Sequence, residues 1–336
     1  MKNLILYIAF MFLLPLAGNA QLLPVFGGER AGLSALSFLK NDVSPRSVGM
    51  SGATVSLAGD AYSIYHNVAG IADLKSNSFA LTSSFLGAGI NQSFVSGIFA
   101  LKNKTSSLGI SINNLNSGAI EERTEFQPGG TGRKIYVTNM AFGLSYAQQL
   151  STRFSLGGTL KYVYENLADF TNHALNVDVG FLYKTDYKDL RFAVLVRNFG
   201  GNTSLTGTYL ASSYNRTSGT TLSSNTFPNV FSLGVSMVPW KVERHSILAA
   251  FQLNHPNDNA ENYSLGAEYN YMDLLFVRSG IKINVTGQTL PTLGFGVRMM
   301  LGAHPLHFDY AANPTNYIGV QHQVGLRFSL NKAENR

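Results

Sequence analysis

Cysteine is absent from all 336 residues, which excludes disulfides, thiolate catalysis and thiolate metal sites. Charge is scarce too: Asp, Glu, Lys and Arg make up 13% of the chain, about half the share usual for a soluble domain. The net charge of +6 is mild and scattered, a poor basis for nucleic-acid binding. Beyond the N-terminus no apolar run reaches the roughly 20 residues that a membrane-spanning helix needs. In their place Gly, Ser, Asn and Thr are abundant, and 12% of residues are aromatic. Low charge, many aromatics and no hydrophobic helix point to a membrane β-barrel, whose strands are apolar on one face only. A soluble all-β protein of similar length is the competing architecture.

The start reads as a secretory signal. Lys2 supplies the positive end, Leu4 to Leu16 an apolar run broken only by Pro15, and Gly18-Asn19-Ala20 a small-residue cleavage site. The mature chain is expected to begin at Gln21. The run is too short for a spanning anchor, and no cysteine follows for lipidation. This divides the chain into a signal over 1–20, an N-terminal segment over 21–76, a barrel over 77–330 and a polar tail over 331–336.

Fourteen strands are expected near 78–86, 92–101, 105–114, 135–149, 152–165, 174–185, 189–199, 228–239, 245–254, 261–271, 273–284, 290–301, 304–312 and 321–330. An even number suits a single-chain bacterial barrel. Successive side chains on a strand point to opposite faces. Met140, Phe142, Leu144 and Tyr146 therefore share one face, and so do Leu293, Phe295, Val297, Met299 and Leu301. Tyr162, Tyr164, Tyr183, Tyr269 and Tyr271 fall near strand ends, where an interfacial aromatic belt belongs. The stretch 116–125 reads as a loop hairpin. The connection Gly200 to Phe227 is long, polar and uncharged except for Arg216, a candidate contact surface. Long connections of such barrels face outward.

The last strand, Gln321 to Leu330, resembles the C-terminal assembly signal of bacterial outer-membrane barrels. Gln323, Gly325, Phe328 and Leu330 fill its polar, glycine, aromatic and terminal hydrophobic slots. The N-terminal segment lacks a clean period and is rich in small residues, so it needs neighbours to bury it. The inside of a barrel would do so, with the segment acting as a plug. Its motifs are Phe38-Leu39, Pro45-Arg46 with Gly49-Met50, Asp60-Ala61, and Asn67-Val68-Ala69-Gly70-Ile71-Ala72. They resemble the N-terminal signature of the PorV/PorQ family of the type IX secretion system, within the FadL-like barrel superfamily. Val68 stands where that family usually has proline. Asp60, Ala61, Asn67, Ala69 and Gly70 are the matching structural positions.

The polar strand face is the inside of the barrel. It is expected to collect Arg153, Lys161, Arg191, Arg197, Arg278, Lys282, Arg298 and Arg327, against Asp178, Glu268 and Asp309. A basic lumen would favour an anionic partner. The preferred reading is that these charges pair with one another and with the plug. The seven histidines include His304 and His307 flanking Pro305-Leu306, but no clustered carboxylates support a metal site. His66 is expected to be packed or hydrogen-bonded. There is no Gly-x-Ser-x-Gly elbow, and Gly294-x-Gly296 lies on the polar face of one strand and is no nucleotide loop. No enzyme and no cofactor are expected.

The expectation is thus an all-β outer-membrane protein, a FadL-like antiparallel barrel of about fourteen strands with an inserted plug. The resemblance implies a role in type IX secretion: binding cargo or its C-terminal signal domain and handing it to the translocon or surface attachment machinery. Its partners would be outer-membrane lipid, those secretion proteins and the cargo, with no nucleic acid. The alternative is a FadL-like channel for uptake of hydrophobic small molecules.

Overall fold

The structure, a computed structural model, describes residues 34–103, 105–207, 222, 224–288 and 290–330. The expected signal over 1–20, the start at Gln21, the tail over 331–336 and Arg216 in the long connection lie outside the described residues.

In chain order the strands are β1 (Asn77–Gly87), β2 (Ile90–Ala100), β3 (Ser106–Asn116), β4 (Ile120–Glu121), β5 (Lys134–Ile135), β6 (Val137–Gln149), β7 (Phe154–Leu167), β8 (Phe170–Lys184) and β9 (Arg191–Gly200). There follow β10 (Thr206–Gly207), β11 (Val230–Val242), β12 (His245–Pro256), β13 (Asn262–Tyr271), β14 (Leu275–Ile283), β15 (Thr292–Leu301), β16 (His304–Thr315) and β17 (Gly319–Leu330). The fourteen long strands form one closed antiparallel barrel. The first and last strands meet from Asn77↔Leu330 to Phe85↔His322. A short hairpin pairs β4 with β5, Ile120 opposite Ile135; only β4 falls within the stretch 116–125 where a hairpin was expected.

The alternation follows the sequence pattern. Leu144 and Leu160, paired across β6 and β7, are 54% and 53% exposed. Large apolar side chains are left outside in this way all round the barrel, where lipid rather than water solvates them. No helix among the described residues is long and apolar enough to cross a membrane. On the outer face, tyrosines hydrogen-bond histidines of the neighbouring strands: Tyr162 with His173 at 2.6 Å, Tyr269 with His245 at 2.7 Å and Tyr310 with His322 at 2.7 Å. Such rings, greasy in body and polar at the tip, suit the membrane interface. The three longest connections, 117–136, 201–229 and 284–291, share one end of the barrel, the outward end by the rule that long loops face out.

One stave is bent. β8 and β9 shift register between Val177 and Val179, and Asn198 takes a left-handed φ of 60°. That turns the Asn198 amide N–H onto Asp178 Oδ1 at 2.8 Å.

Inside the barrel the N-terminal segment forms four short helical turns, 37–40, 45–49, 63–66 and 68–73. Pro45 opens the second turn, where its missing N–H costs nothing, and Ser44 caps it by accepting from the Ser47 N–H. Frequent Gly, Ala and Ser let these turns pack against the wall. Val43, Met50, Tyr62, Val68 and Ile71 are almost wholly buried. The wall yields at inward glycines. A Cβ on Gly180 would collide with the Asn67 side chain, and one on Gly280 with the Met50 backbone.

One expected inward cation is not in the lumen. β7 begins at Phe154, so Arg153 stands in the preceding turn, exposed, and pairs with Asp186. Arg191, the first residue of β9, keeps the inward parity of Ala193 and Leu195 and pairs with Asp189 of the adjoining turn at 2.6 Å.

Candidate functional site: a latched plug beneath a polar chamber

Charge is rare in the plug, and most of what exists reaches the wall. Lys40 pairs with Asp258 at 2.6 Å, and Asp73 pairs with Lys184 of β8. Arg46 and Asp60 join a larger assembly. Arg46 pairs with Glu268, Glu268 with Arg278, Arg278 with Asp309, Asp309 with Arg327, Arg327 with Asp60, and Asp60 again with Arg46, all between 2.6 and 3.2 Å. Three guanidiniums and three carboxylates thus alternate in a closed ring. Two members belong to the plug and four to β13, β14, β16 and β17.

Strand register explains the ring. Glu268 and Arg278 are direct cross-strand partners. Arg278 must then cross β15 to reach Asp309 on β16. Gly294 and Gly296 face inward on β15, and a Cβ on Gly296 would strike both Asp309 and Arg278. The Gly294-x-Gly296 pair is therefore the passage for a guanidinium. Arg278 is 1% exposed and Asp309 0%. Burial would raise the Asp60 carboxyl, but Arg327 and Arg46 outweigh it and hold it well below the usual carboxylate range. Burial likewise works against the charge on Arg46, and Glu268 and Asp60 overcome it, pushing its pKa above the ordinary value. Buried ion pairs gain little net stability over apolar packing, but breaking one is costly. The ring is best understood as a latch that fixes one plug position.

The other signature positions also hold the plug. Asn67 donates through Nδ2 to the carbonyls of Val55 at 2.9 Å and Phe181 of β8 at 3.0 Å, and its Oδ1 accepts from the Ala69 N–H. Ala61 is buried, and its carbonyl accepts from Ser96 of β2. Ala69 and Gly70 lie in the buried 68–73 turn, which Val68 opens in place of proline. At the barrel terminus, Gln323 and Gly325 point inward, and Gln323 donates to the Asp42 carbonyl at 3.0 Å. Phe328 and Leu330 lie on the outward face.

Of the remaining candidate lumen residues, Lys161 and Asp178 form a buried pair at 2.7 Å, and Lys161 also donates to Asn198. Arg298 is half-buried on the inner face of β15. Arg197 and Lys282 line a cavity of about 410 Å³ above the plug, towards the long-loop end. Amides make up about a third of its lining, among them Asn254, Asn262, Asn313 and Gln252, and aliphatic side chains such as Val55, Leu195 and Val230 fill part of the rest. Tyr65 and His66 of the plug form part of its floor. The Tyr65 hydroxyl donates to the Leu39 and Asn41 carbonyls, and burial pushes its pKa up to about 12. His66 is held below the usual imidazole value, chiefly by burial. Its Nε2 lies 3.6 Å from Asp42. No group of three or more metal-ligating side chains occurs among the described residues.

Sequence reasoning did not find this chamber, because its amides come singly from strands far apart in the chain. It also placed Arg46 only in a motif. The available signal was that Arg46 and Asp60 are charged residues in a segment of small and apolar ones.

Compared by sequence, the chain matches no protein-family model and no curated protein. Compared by structure, it is similar to solved proteins named as a hydrocarbon channel, a toluene transporter and a FadL homologue. The Pseudomonas putida toluene transporter TodX shares 11% identity over 86% of this chain and 98% of its own, with a TM-score of 0.55. The CymD monoaromatic hydrocarbon channel shares 14% identity over 85% and 96%, with a TM-score of 0.53. A Pseudomonas aeruginosa FadL homologue shares 12% identity over 85% and 97%, with a TM-score of 0.50. Likeness at such identity is likeness of fold, and with the closed strand ring and its apolar outer face it gives the chain its architecture: a FadL-like antiparallel β-barrel carrying a plug.

Proposed function

We propose that the protein is a plugged outer-membrane channel that takes up small molecules from outside. The observation that carries this reading is the chamber above the plug, set in a barrel whose structural neighbours are named as hydrocarbon channels and transporters. A solute enters from the long-loop end and rests on the floor made by Tyr65 and His66. Onward passage requires the plug to shift, which opens the Arg46–Glu268 and Asp60–Arg327 pairs between plug and wall. The wall members of the ring, Glu268, Arg278, Asp309 and Arg327, keep one another neutralised meanwhile. The test is solute flux into proteoliposomes. Latch variants should raise the flux of small solutes, toluene included, above wild type. No flux from any variant would refute the channel.

A second reading has one observation in its favour. The N-terminal motifs that resemble the PorV/PorQ signature fall on residues that seat the plug, Asp60 and Asn67 among them, and the chamber has polar groups enough for an extended peptide segment. On that reading the protein binds secreted cargo or its C-terminal signal domain and hands it on within a type IX secretion system. Purification from the host in mild detergent discriminates the two. Co-purifying secreted proteins that share a C-terminal domain support protein traffic. A barrel recovered alone, whose loss stops growth on a hydrophobic carbon source and leaves secretion intact, supports uptake.

A further inference from the structure

We infer that the chamber is a binding site for a small hydrophilic organic anion, a carboxylate without a hydrocarbon tail. This rests on the channel reading and names the class of solute. Arg197 of β9 and Lys282 of β14, four staves apart round the ring, line one cavity. Among the described residues neither has a carboxylate within 4.0 Å, whereas the ring arginines and Lys161 all do. Arg197 Nε is buried with no hydrogen-bond partner, and so is Gln323 Oε1 in the same lining. An unpaired buried donor costs free energy until something accepts from it.

The Arg197 guanidinium is nevertheless held in place. It stacks 4.8 Å from the centre of the Tyr65 ring, and Tyr65 is itself pinned through its hydroxyl to Leu39 and Asn41. A fixed fork with an unused N–H is set up to accept a carboxylate. Asp42 is the one carboxylate of the lining, and it is engaged by the Ser44 N–H and the Ser47 hydroxyl. Lys40 is neutralised by Asp258. The two remaining cations therefore outweigh the single acid. An anion bridging them also satisfies Arg197 Nε. The amides around it suit hydroxyl groups, because an apolar chain laid there would strip their hydrogen bonds to water without replacement.

The experiment uses the full-length barrel in detergent and calorimetric titration with D-glucuronate, D-glucose and toluene. Heat-modifiable migration on gels checks that each variant is folded. Glucuronate should bind, weaken with added salt, and exceed glucose by about tenfold or more, the effect of a charge-assisted hydrogen bond. Arg197→Gln and Lys282→Gln should each lower glucuronate affinity by a similar factor. Arg298→Gln, an inward cation outside the chamber lining, should leave it unchanged. Equal binding of glucuronate and glucose, no binding of glucuronate, or unchanged affinity in folded Arg197→Gln overturns the proposal. Proteoliposome flux run alongside separates the two claims. Flux of toluene without glucuronate binding leaves the channel standing and removes the anion site. Glucuronate binding without flux of any solute does the reverse.

Discussion

Arg46 of the plug grips Glu268 of the wall with two parallel hydrogen bonds, Nη2 to Oε1 at 2.7 Å and Nε to Oε2 at 2.9 Å. Glu268 in turn holds Arg278. Glu268→Ala therefore strips a partner from two buried guanidiniums at once. The expected cost is about 3–5 kcal/mol, the usual consequence of orphaning a buried charge. Denaturant unfolding in detergent measures it, and protease cleavage between residues 55 and 70 should appear in the folded variant but not in wild type.

Acid should loosen the plug in two stages. His66 is depressed by burial, so its contribution is complete at neutral pH and declines once pH falls below about 6.5. Asp60 is depressed because Arg327 and Arg46 outweigh its burial. Its contribution is complete above the unfolded value of about 4 and is lost as pH falls further. Plug proteolysis by an acid-active enzyme, followed from neutral pH down to about pH 3, reads both stages. His66→Gln should remove the first. Asp60→Asn should shrink the second, which Glu268 and Asp309 of the same ring share, and weaken the plug already at neutral pH.

A methyl group on the wall should unseat the plug from the other side. Gly180→Ala places a carbon against Asn67 Oδ1, with an expected cost of about 1–3 kcal/mol for overpacking. Asn67→Ala loses two carbonyl partners and costs a similar about 1–3 kcal/mol. The double variant should be more stable than the sum of the two losses, because the smaller side chain makes room for the new carbon. A double-mutant cycle by chemical unfolding gives the coupling; additive losses would contradict the contact.

On the lipid side, Leu144→Arg should cost about 2–4 kcal/mol if that position lies near the bilayer midplane. Phe328→Asp with Leu330→Asp should lower the amount of assembled barrel in the outer-membrane fraction. Unchanged assembly in this pair would argue against the terminal strand as an assembly signal.

The strands were legible because lipid outside and polar groups inside impose a period of two on every stave. Leu81, Leu144 and Leu293 each mark the outward register without any tertiary knowledge. Boundaries were less legible. Arg153 fits the inward parity of β7, but parity cannot say where pairing starts, and β7 starts one residue later. The helical turns of the plug left no periodic trace, since Pro45 to Gly49 is too short for one. Asp309 and Arg327 were assigned inward correctly, but alternation gives a face and not a partner. Their ring needed Gly294 and Gly296 on the strand between, whose meaning appears only when a guanidinium crosses them. The chamber was least legible of all, being a volume bounded by single amides from many strands.

Tyr62 stands directly behind the line where the barrel closes on itself. Its hydroxyl donates to the Leu81 carbonyl of β1 at 3.1 Å and accepts from Thr82 at 2.7 Å, while Gly325 of β17 has no side chain because that space is taken. Asp60, two residues earlier, holds Arg327 on the same last strand. The two ends of the sheet therefore join over a surface that neither strand supplies. That surface lies earlier in the chain than either strand, so it can be waiting when the last one arrives. The seam of the wall is thus backed from within, and whatever displaces Tyr62 and Asp60 also removes the backing of the one junction in the ring that joins strands from the two ends of the sheet.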